Sequence, residues 1–114
     1  MALQFILVFS DCKPGREDEY NDYYDRRHIP DIMAQQSEVV SAQRFGVTRH
    51  FGPDGLPLWR FSTLYTIDTD DLDGYLERST RLMKEGKIPP SDAALPSTAA
   101  VFKLLPLGPA IERG

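Results

Sequence analysis

Two alternating runs of residues, separated by a turn signal, constrain the fold more than any other feature of the sequence. From Glu38 to Phe51, side chains on the two faces alternate with the period of two that is typical of a β-strand. A second alternating run follows and places Trp59, Phe61, Thr63, Tyr65 and Ile67 on one face. Between the runs, Gly52-Pro53-Asp54-Gly55 combines a proline of fixed φ with glycines that tolerate positive φ. The pattern predicts a β-hairpin in the middle of the chain.

A strand and a helix are predicted before this hairpin. The apolar run Leu3 to Ser10 is typical of a strand covered on both faces. Arg16 to His28 has acidic residues at its front and basic residues at its back, which complements a helix dipole. Pro30 disfavours helical geometry at Ile29, so we expect the regular helix to end near His28. A second short turn is expected over residues 30–35.

A helix and a strand are also predicted after the hairpin. Asp68 or Thr69 can cap a helix whose apolar residues recur at helical spacing until Gly86. Residues 88–97 hold three prolines and predict an irregular surface loop. Residues 98–105 resume a strand pattern.

The resulting order β, α, β, β, α, β predicts the fold class. It is α+β and ferredoxin-like, with two helices on one face of a four-stranded antiparallel sheet. The 114 residues match the size of one domain, which we expect to span residues 1–114. Both faces of the first three strands carry apolar or aromatic residues, whereas a sheet facing water has a more polar face. We therefore expect a homodimer in which the two sheets pack together, the alternative being a monomer with an open sheet face.

The composition argues against several classes of partner and cofactor. A net charge of -4 with scattered basic residues predicts no nucleic-acid partner. The N-terminal apolar run lacks signal-peptide features and is shorter than the ~20 residues that span a bilayer. The single cysteine, Cys12, requires no oxidising compartment, so we expect a cytoplasmic protein. No zinc-ligand spacing or glycine-rich phosphate loop is found in the sequence, so we expect no metal and no cofactor.

One stretch of the predicted first helix combines a histidine with several tyrosines. Tyr20, Tyr23, Tyr24 and His28 fall at helical spacings that place them on one broad face. An imidazole titrates near neutral pH, so His28 is suited to proton transfer and is the candidate general acid/base. A helix C-terminus would favour its protonated form, whereas burial would favour the neutral form. Tyr24, one turn earlier, is the candidate hydrogen-bond partner that orients a substrate oxygen. The alternative is a His28 that caps the helix end and tyrosines that belong to the core.

Further candidate substrate-binding residues come from the same helix and from the hairpin. Tyr20 and Tyr23 would surround the ligand together with His28. Trp59, Phe61 and Tyr65 share a predicted strand face and line either the pocket or the dimer core. Arg44 would either bind a carboxylate or extend to solvent. His50, near the hairpin tip, is expected to be an exposed loop residue.

The run from Tyr20 to Pro30 resembles the first-helix signature of the EthD-like family, within the dimeric α+β barrel superfamily. The matching pattern is an aromatic residue, two others, a pair of aromatics, three others and then His-x-Pro. The resemblance implies a ferredoxin-like protomer, dimerisation through the sheets, and a cleft between sheet and helices where His28 faces a ligand. Relatives in the superfamily include polyketide cyclases, cofactor-free monooxygenases, lactone isomerases, haem enzymes and proteins without known activity.

From the residues and the resemblance together we expect a cofactor-independent enzyme that acts on a small aromatic, phenolic or polyketide-like metabolite. One base and a few hydroxyl groups suffice to move a proton next to a carbonyl, which suits a cyclase, isomerase or lyase. One alternative is a cofactor-free monooxygenase on a similar substrate. Another is a non-catalytic dimer that binds a hydrophobic small molecule or haem, with His28 as the axial ligand.

Overall fold

The computed structural model of the protein describes residues 2–114. Its strands are β1 (Leu3–Ser10), β2 (Val39–Gly46), β3 (Phe61–Asp68) and β4 (Ala100–Leu104). Its helices are α1 (Glu17–Tyr23), a π-helical turn (Tyr24–His28), α2 (Ile29–Gln35), α3 (Leu72–Lys84) and a 3₁₀ turn (Pro96–Thr98). The predicted ferredoxin-like element order is confirmed.

The four strands form one antiparallel sheet in the order β2-β3-β1-β4. Side chains of β1 and β3, among them Ile6, Tyr65 and Ile67, pack against Ile32 and Leu72 from the helices to form the main core. Burial of these apolar side chains between sheet and helices holds the two layers together.

The predicted hairpin is present, but its strands are shorter than the alternating sequence suggests. β2 ends at Gly46 and β3 begins at Phe61, so residues 47–60 form a long connection. Pro53 and Pro57 lie within that connection and have no N–H to donate to a neighbouring strand. Gly55 takes a φ of 82° at the turn. Alternation alone therefore overestimated the length of both strands.

The prediction that the first helix ends near His28 is wrong. Ile29 keeps helical geometry, with φ −65° and ψ −47°, and the chain stays helical to Gln35. Between Tyr24 and His28 the helix widens into a π turn, in which the Ile29 N–H donates to the Tyr24 carbonyl five residues earlier. Pro30 offers no N–H and its ring crowds the preceding turn, and a wider turn accommodates both effects.

The sheet face opposite the helices is apolar, and we call it the open face. It carries the odd-numbered side chains of β1 and their cross-strand neighbours. Its large apolar members are Phe5, Leu7, Phe9, Phe45, Leu64, Phe102 and Leu104. Phe45, Phe102 and Leu104 are each more than 40% exposed. Among residues 2–114 no helix is long and apolar enough to cross a membrane.

Candidate functional site

A cavity of about 330 Å³ lies between the sheet and the helices. Its walls are mostly apolar or aromatic, and they come from β1, β3 and β4, from the first helix, from α3 and from the loop that follows α3. The side chains that bear on the chemistry below are those of Ser10, Asp11, Tyr20, Tyr23, Tyr24, His28, Tyr65 and Tyr75. The cavity therefore has the character of a small-molecule site with few polar groups.

His28 lies in the wall of this cavity, with one ring nitrogen held by a tyrosine. The Tyr23 hydroxyl is 3.0 Å from His28 Nδ1, and it donates its proton to the Pro89 carbonyl at 2.7 Å. A hydroxyl has a single proton, so Tyr23 accepts from Nδ1, and this network assigns the proton of the neutral ring to Nδ1. His28 Nε2 is then the nitrogen with a free lone pair.

Burial keeps the imidazole in its neutral form. It lowers the pKa of His28 to about 4, with a further lowering from Arg44 and an opposing effect of Asp31. The predicted stabilisation of the charged form by a helix C-terminus does not apply, because the helix continues past His28. Burial also raises the pKa of Tyr23 to about 12, so its hydroxyl keeps its proton at neutral pH.

Tyr24 contacts the imidazole through its ring. The Tyr24 and His28 ring centroids are 4.7 Å apart in an edge-on arrangement, and Tyr20 packs on Tyr24 at 5.2 Å. The Tyr20 hydroxyl donates to Ser10 Oγ at 2.8 Å. The hydroxyl that binds His28 is that of Tyr23, because a π turn aligns residues five apart.

Five of the eight predicted site residues line the cavity, namely His28, Tyr20, Tyr23, Tyr24 and Tyr65. Phe61 lies behind them, with its ring centroid 5.5 Å from that of Tyr20. Trp59 does not share a face with Phe61 and Tyr65, because it precedes β3 and stacks on Phe9 at 4.9 Å. Its indole N–H donates to the Thr98 carbonyl. Tyr65 therefore belongs to the cavity and Trp59 to the open face.

Arg44 lies behind the aromatic side chains of the cavity. It is not part of the cavity wall, and it does not extend to solvent, since its side chain is only 14% exposed. Its guanidinium lies over the Tyr24 ring, with Cζ 4.4 Å from the centroid. Arg44 is thus separated from the cavity by the rings that it contacts.

The loop after α3 contributes wall residues that the sequence analysis did not anticipate. Pro90, Ala94 and Leu95 line the cavity, and the Pro89 carbonyl binds Tyr23. Prolines in this segment predicted a surface loop, yet Ile88 and Ala93 are fully buried. Backbone hydrogen bonds join the loop to the segment after β1, from Lys13 to Ala93 and from Leu95 to Asp11. The apolar residues Ile88, Ala93 and Leu95 among the prolines were the available signal. His50 is exposed, as expected.

No protein-family model and no curated protein matches this sequence. Solved structures match over nearly the whole chain. A protein of unknown function from Nitrosomonas europaea is 19% identical with a TM-score of 0.58, over 100% of this chain and 98% of that one. An EthD family protein from Bacillus halodurans C-125 is 13% identical with a TM-score of 0.55, over 97% of this chain and 100% of that one. The chain has the fold of EthD-like proteins.

A third solved structure has the same fold. A dimeric ferredoxin-like protein of unknown function from Jannaschia sp. CCS1 is 14% identical with a TM-score of 0.56, over 90% of this chain and 97% of that one. At such identities the likeness concerns the fold alone. The resemblance found in the run from Tyr20 to Pro30 is confirmed at that level, and the chemistry has to be argued from the cavity itself.

Proposed function

We propose that the protein is a cofactor-independent enzyme that moves a proton on a small aromatic, phenolic or polyketide-like metabolite, with His28 as general acid/base. The observation that supports this most directly is the hydrogen-bonded chain from Pro89 through Tyr23 to His28 Nδ1. It leaves Nε2 as the basic atom of a histidine in the wall of an apolar cavity. A proton transfer next to a carbonyl is a step that cyclases, isomerases and lyases can share.

The environment of His28 suits a group that takes a proton from the substrate and then returns it. With a pKa near 4 the ring is neutral at physiological pH, so Nε2 keeps a free lone pair, although it is a weaker base than an ordinary imidazole. Its conjugate acid is strong for the same reason, so it would readily give the proton back at a second position of the substrate. Tyr23 fixes the ring orientation throughout, because its hydroxyl is anchored on the Pro89 carbonyl.

The cavity also limits the substrate. Its volume of about 330 Å³ lies at the small end of the roughly 300–1,000 Å³ typical of ligand sites, so a molecule of one or two rings is the expected size. Aromatic walls from Tyr20, Tyr24 and Tyr65 suit a flat ligand.

Haem does not fit the residues of this cavity. Its propionate groups need cationic partners, and the cavity wall among residues 2–114 includes no lysine or arginine. Among residues 2–114 the one carboxylate in the wall, Asp11, is already bound by Arg60 Nε at 2.7 Å. A cofactor-free monooxygenase fits better, because it would use the same first proton transfer before the substrate carbanion reacts with oxygen.

Solvent deuterium exchange tests the proposed role of His28. The probe is 2-tetralone, a bicyclic ketone with acidic C–H groups, incubated in D₂O with the protein and followed by NMR. We expect the protein to accelerate exchange, and His28→Gln to lower the accelerated rate on the order of 100-fold or more. The matched control is His50→Gln, which changes the exposed histidine and should exchange like the wild type.

Two outcomes of this experiment would contradict the proposal. Exchange by His28→Gln at the wild-type rate would show that another group is the base. Saturable binding of the probe without accelerated exchange would favour a non-catalytic binding protein. Oxygen consumption during turnover would identify the monooxygenase variant.

We also propose that the protein forms a homodimer through its open face. Phe9 stacks with Trp59 and meets Phe102 edge-on at 5.9 Å, so an aromatic cluster stands on a face that no helix covers among the residues described. A contiguous exposed apolar patch of this kind is typical of an interface. The neighbour from Jannaschia is itself a dimeric ferredoxin-like protein. Packing a second sheet on the first would bury the cluster.

A further inference from the structure

Arg44 carries a buried positive charge that its neighbours balance poorly. Its Nη1 donates to the neutral Asn21 Oδ1 at 2.8 Å. The nearest carboxylate oxygen, Asp25 Oδ1, is 3.9 Å from Nη1 and belongs to a side chain that is 64% exposed. Nε and Nη2 are buried and have no hydrogen-bond partner among residues 2–114. Such unpartnered donors are costly in a folded protein and call for a functional explanation.

Arg60 provides the contrast within the same molecule. Its guanidinium binds Asp11 and Glu17, each at 2.7 Å, and also the Cys12 carbonyl. Its charge is therefore paired with two carboxylates close to the donor atoms. The field of Arg44 is not cancelled in this way, so it extends into the surrounding aromatic rings.

The Tyr24 ring contacts both Arg44 and His28. Arg44 Cζ is 4.4 Å from the Tyr24 centroid, and that centroid is 4.7 Å from the centre of the His28 ring. The guanidinium carbon is therefore no more than about 9 Å from the imidazole. Phe61 and Tyr20 also flank the guanidinium, at 5.4 Å and 5.8 Å from Cζ to their centroids. Aromatic surroundings exclude water, so a charge acts further here than it does at the protein surface.

We propose that Arg44 is a positioning residue for His28, which holds the Tyr24 ring against the imidazole and makes this part of the cavity electropositive. The arrangement favours a neutral histidine, together with a ligand whose oxygen becomes negative, such as a phenolate or an enolate. The ligand itself enters uncharged, because no cationic side chain of the described cavity wall is available to pair with a charge. The consequence for the ligand rests on the proposed function, whereas the effect on His28 does not.

Other groups around His28 set the size of the expected effect. Asp31 acts in the opposite direction, and it is weakly paired with Arg27 at 3.9 Å. Burial raises the pKa of Tyr23 and of Tyr65, so both hydroxyls keep their protons, and the Tyr24 ring lies against the imidazole. A unit charge at about 9 Å in a medium of effective dielectric constant about 20 corresponds to a pKa change on the order of one unit.

An NMR titration of the two histidine rings tests this proposal on the protein alone. In Arg44→Gln the charge is lost while an amide remains to bind Asn21, and we expect the pKa of His28 to rise by about one unit. In Arg44→Lys the charge remains while the planar contact with Tyr24 is lost, and the pKa should stay close to that of the wild type. The ring signals of the exposed His50 serve as the internal control in all three proteins.

The lysine variant separates charge from packing. A loosened core would also raise the pKa of His28, but it would do so in Arg44→Lys as much as in Arg44→Gln. An equal rise in both variants would overturn the proposal, and so would an unchanged pKa in Arg44→Gln. Arg44→Met, which fills the same apolar space without charge, replaces the glutamine variant if thermal unfolding shows that the latter does not fold. Because no substrate is needed, an Arg44-dependent titration in a protein without exchange activity would reject only the proposed enzymatic function.

Discussion

Replacing Tyr23 with phenylalanine removes one oxygen atom from the centre of the candidate site. The hydroxyl accepts from His28 Nδ1 and donates to the Pro89 carbonyl, so the change deletes two hydrogen bonds and leaves both partner groups unpaired. The ring itself, which stacks on His28 at a centroid distance of 5.4 Å, is retained. The variant thus isolates the contribution of the hydroxyl.

The expected loss of stability follows from these two bonds. A neutral hydrogen bond contributes about 0.5–1.5 kcal/mol net, and a buried group left without a partner costs about 1–3 kcal/mol. Both contacts are only partly buried, so water can replace some of what is lost. We therefore expect the free energy of unfolding to fall by about 1–2 kcal/mol, which lowers Tm by roughly 4–8 °C for a domain of this size.

Thermal unfolding measures this loss, and ¹⁵N NMR of the His28 ring measures the change of tautomer. In the wild type the proton should reside on Nδ1, and in Tyr23→Phe the population of that tautomer should fall because its acceptor is gone. The matched control is Tyr65→Phe, since the Tyr65 hydroxyl has no hydrogen-bond partner among residues 2–114 although its ring lines the same cavity. If Tyr23→Phe unfolds like the control and keeps the Nδ1 proton, the network proposed around His28 is wrong.

Two further predictions concern pH and assembly. Folding lowers the pKa of His28 from 6.5 to about 4, so the unfolded chain binds a proton at a higher pH than the folded protein does. The neutral ring therefore contributes about 3 kcal/mol to the free energy of unfolding above pH 6.5. This contribution is lost as the pH falls towards 4. Denaturant unfolding of the wild type and His28→Gln should therefore differ by less at pH 4.5 than at pH 7, and a constant difference would contradict the assignment. Sedimentation should show a dimer for the wild type and a monomer for Phe9→Glu. The control is Phe51→Glu, which should stay dimeric because Phe51 is 90% exposed in the loop. A dimeric Phe9→Glu would place the interface elsewhere.

Periodicity in the sequence was sufficient to predict the fold. The apolar run of β1 gave its bounds, Leu3–Ser10, because this strand lies in the middle of the sheet and pairs with β3 along its whole length. The hairpin was also recognised from periodicity, since two alternating runs that flank a turn signal are typical of an antiparallel β-hairpin. A single domain over residues 1–114, a cytoplasmic location and the homodimer remain predictions.

The site was predicted less completely, and each failure has a local cause. Alternation assigns faces only within a strand, so it misplaced Trp59, which precedes β3. Alternation separated Arg44 from Phe45, but periodicity cannot show whether a long side chain reaches the cavity or stops behind an aromatic ring. Loop residues such as Pro89 and Leu95 have no period at all, so their part in the cavity depends on tertiary contacts.

The π turn gives His28 a hydrogen-bond partner, Tyr23, that the sequence analysis did not predict. Reasoning from α-helical spacing puts residue 24 beside residue 28, because four residues make about one turn. Pro30 was taken as the signal that the helix stops, yet the chain absorbs the proline by widening the preceding turn by one residue. The extra residue in the turn aligns the Tyr23 hydroxyl with His28 Nδ1. The Tyr24 ring then contacts both His28 and Arg44. Pro30 lies two residues beyond this turn, and the geometry of the turn places the hydroxyl of Tyr23 on the imidazole.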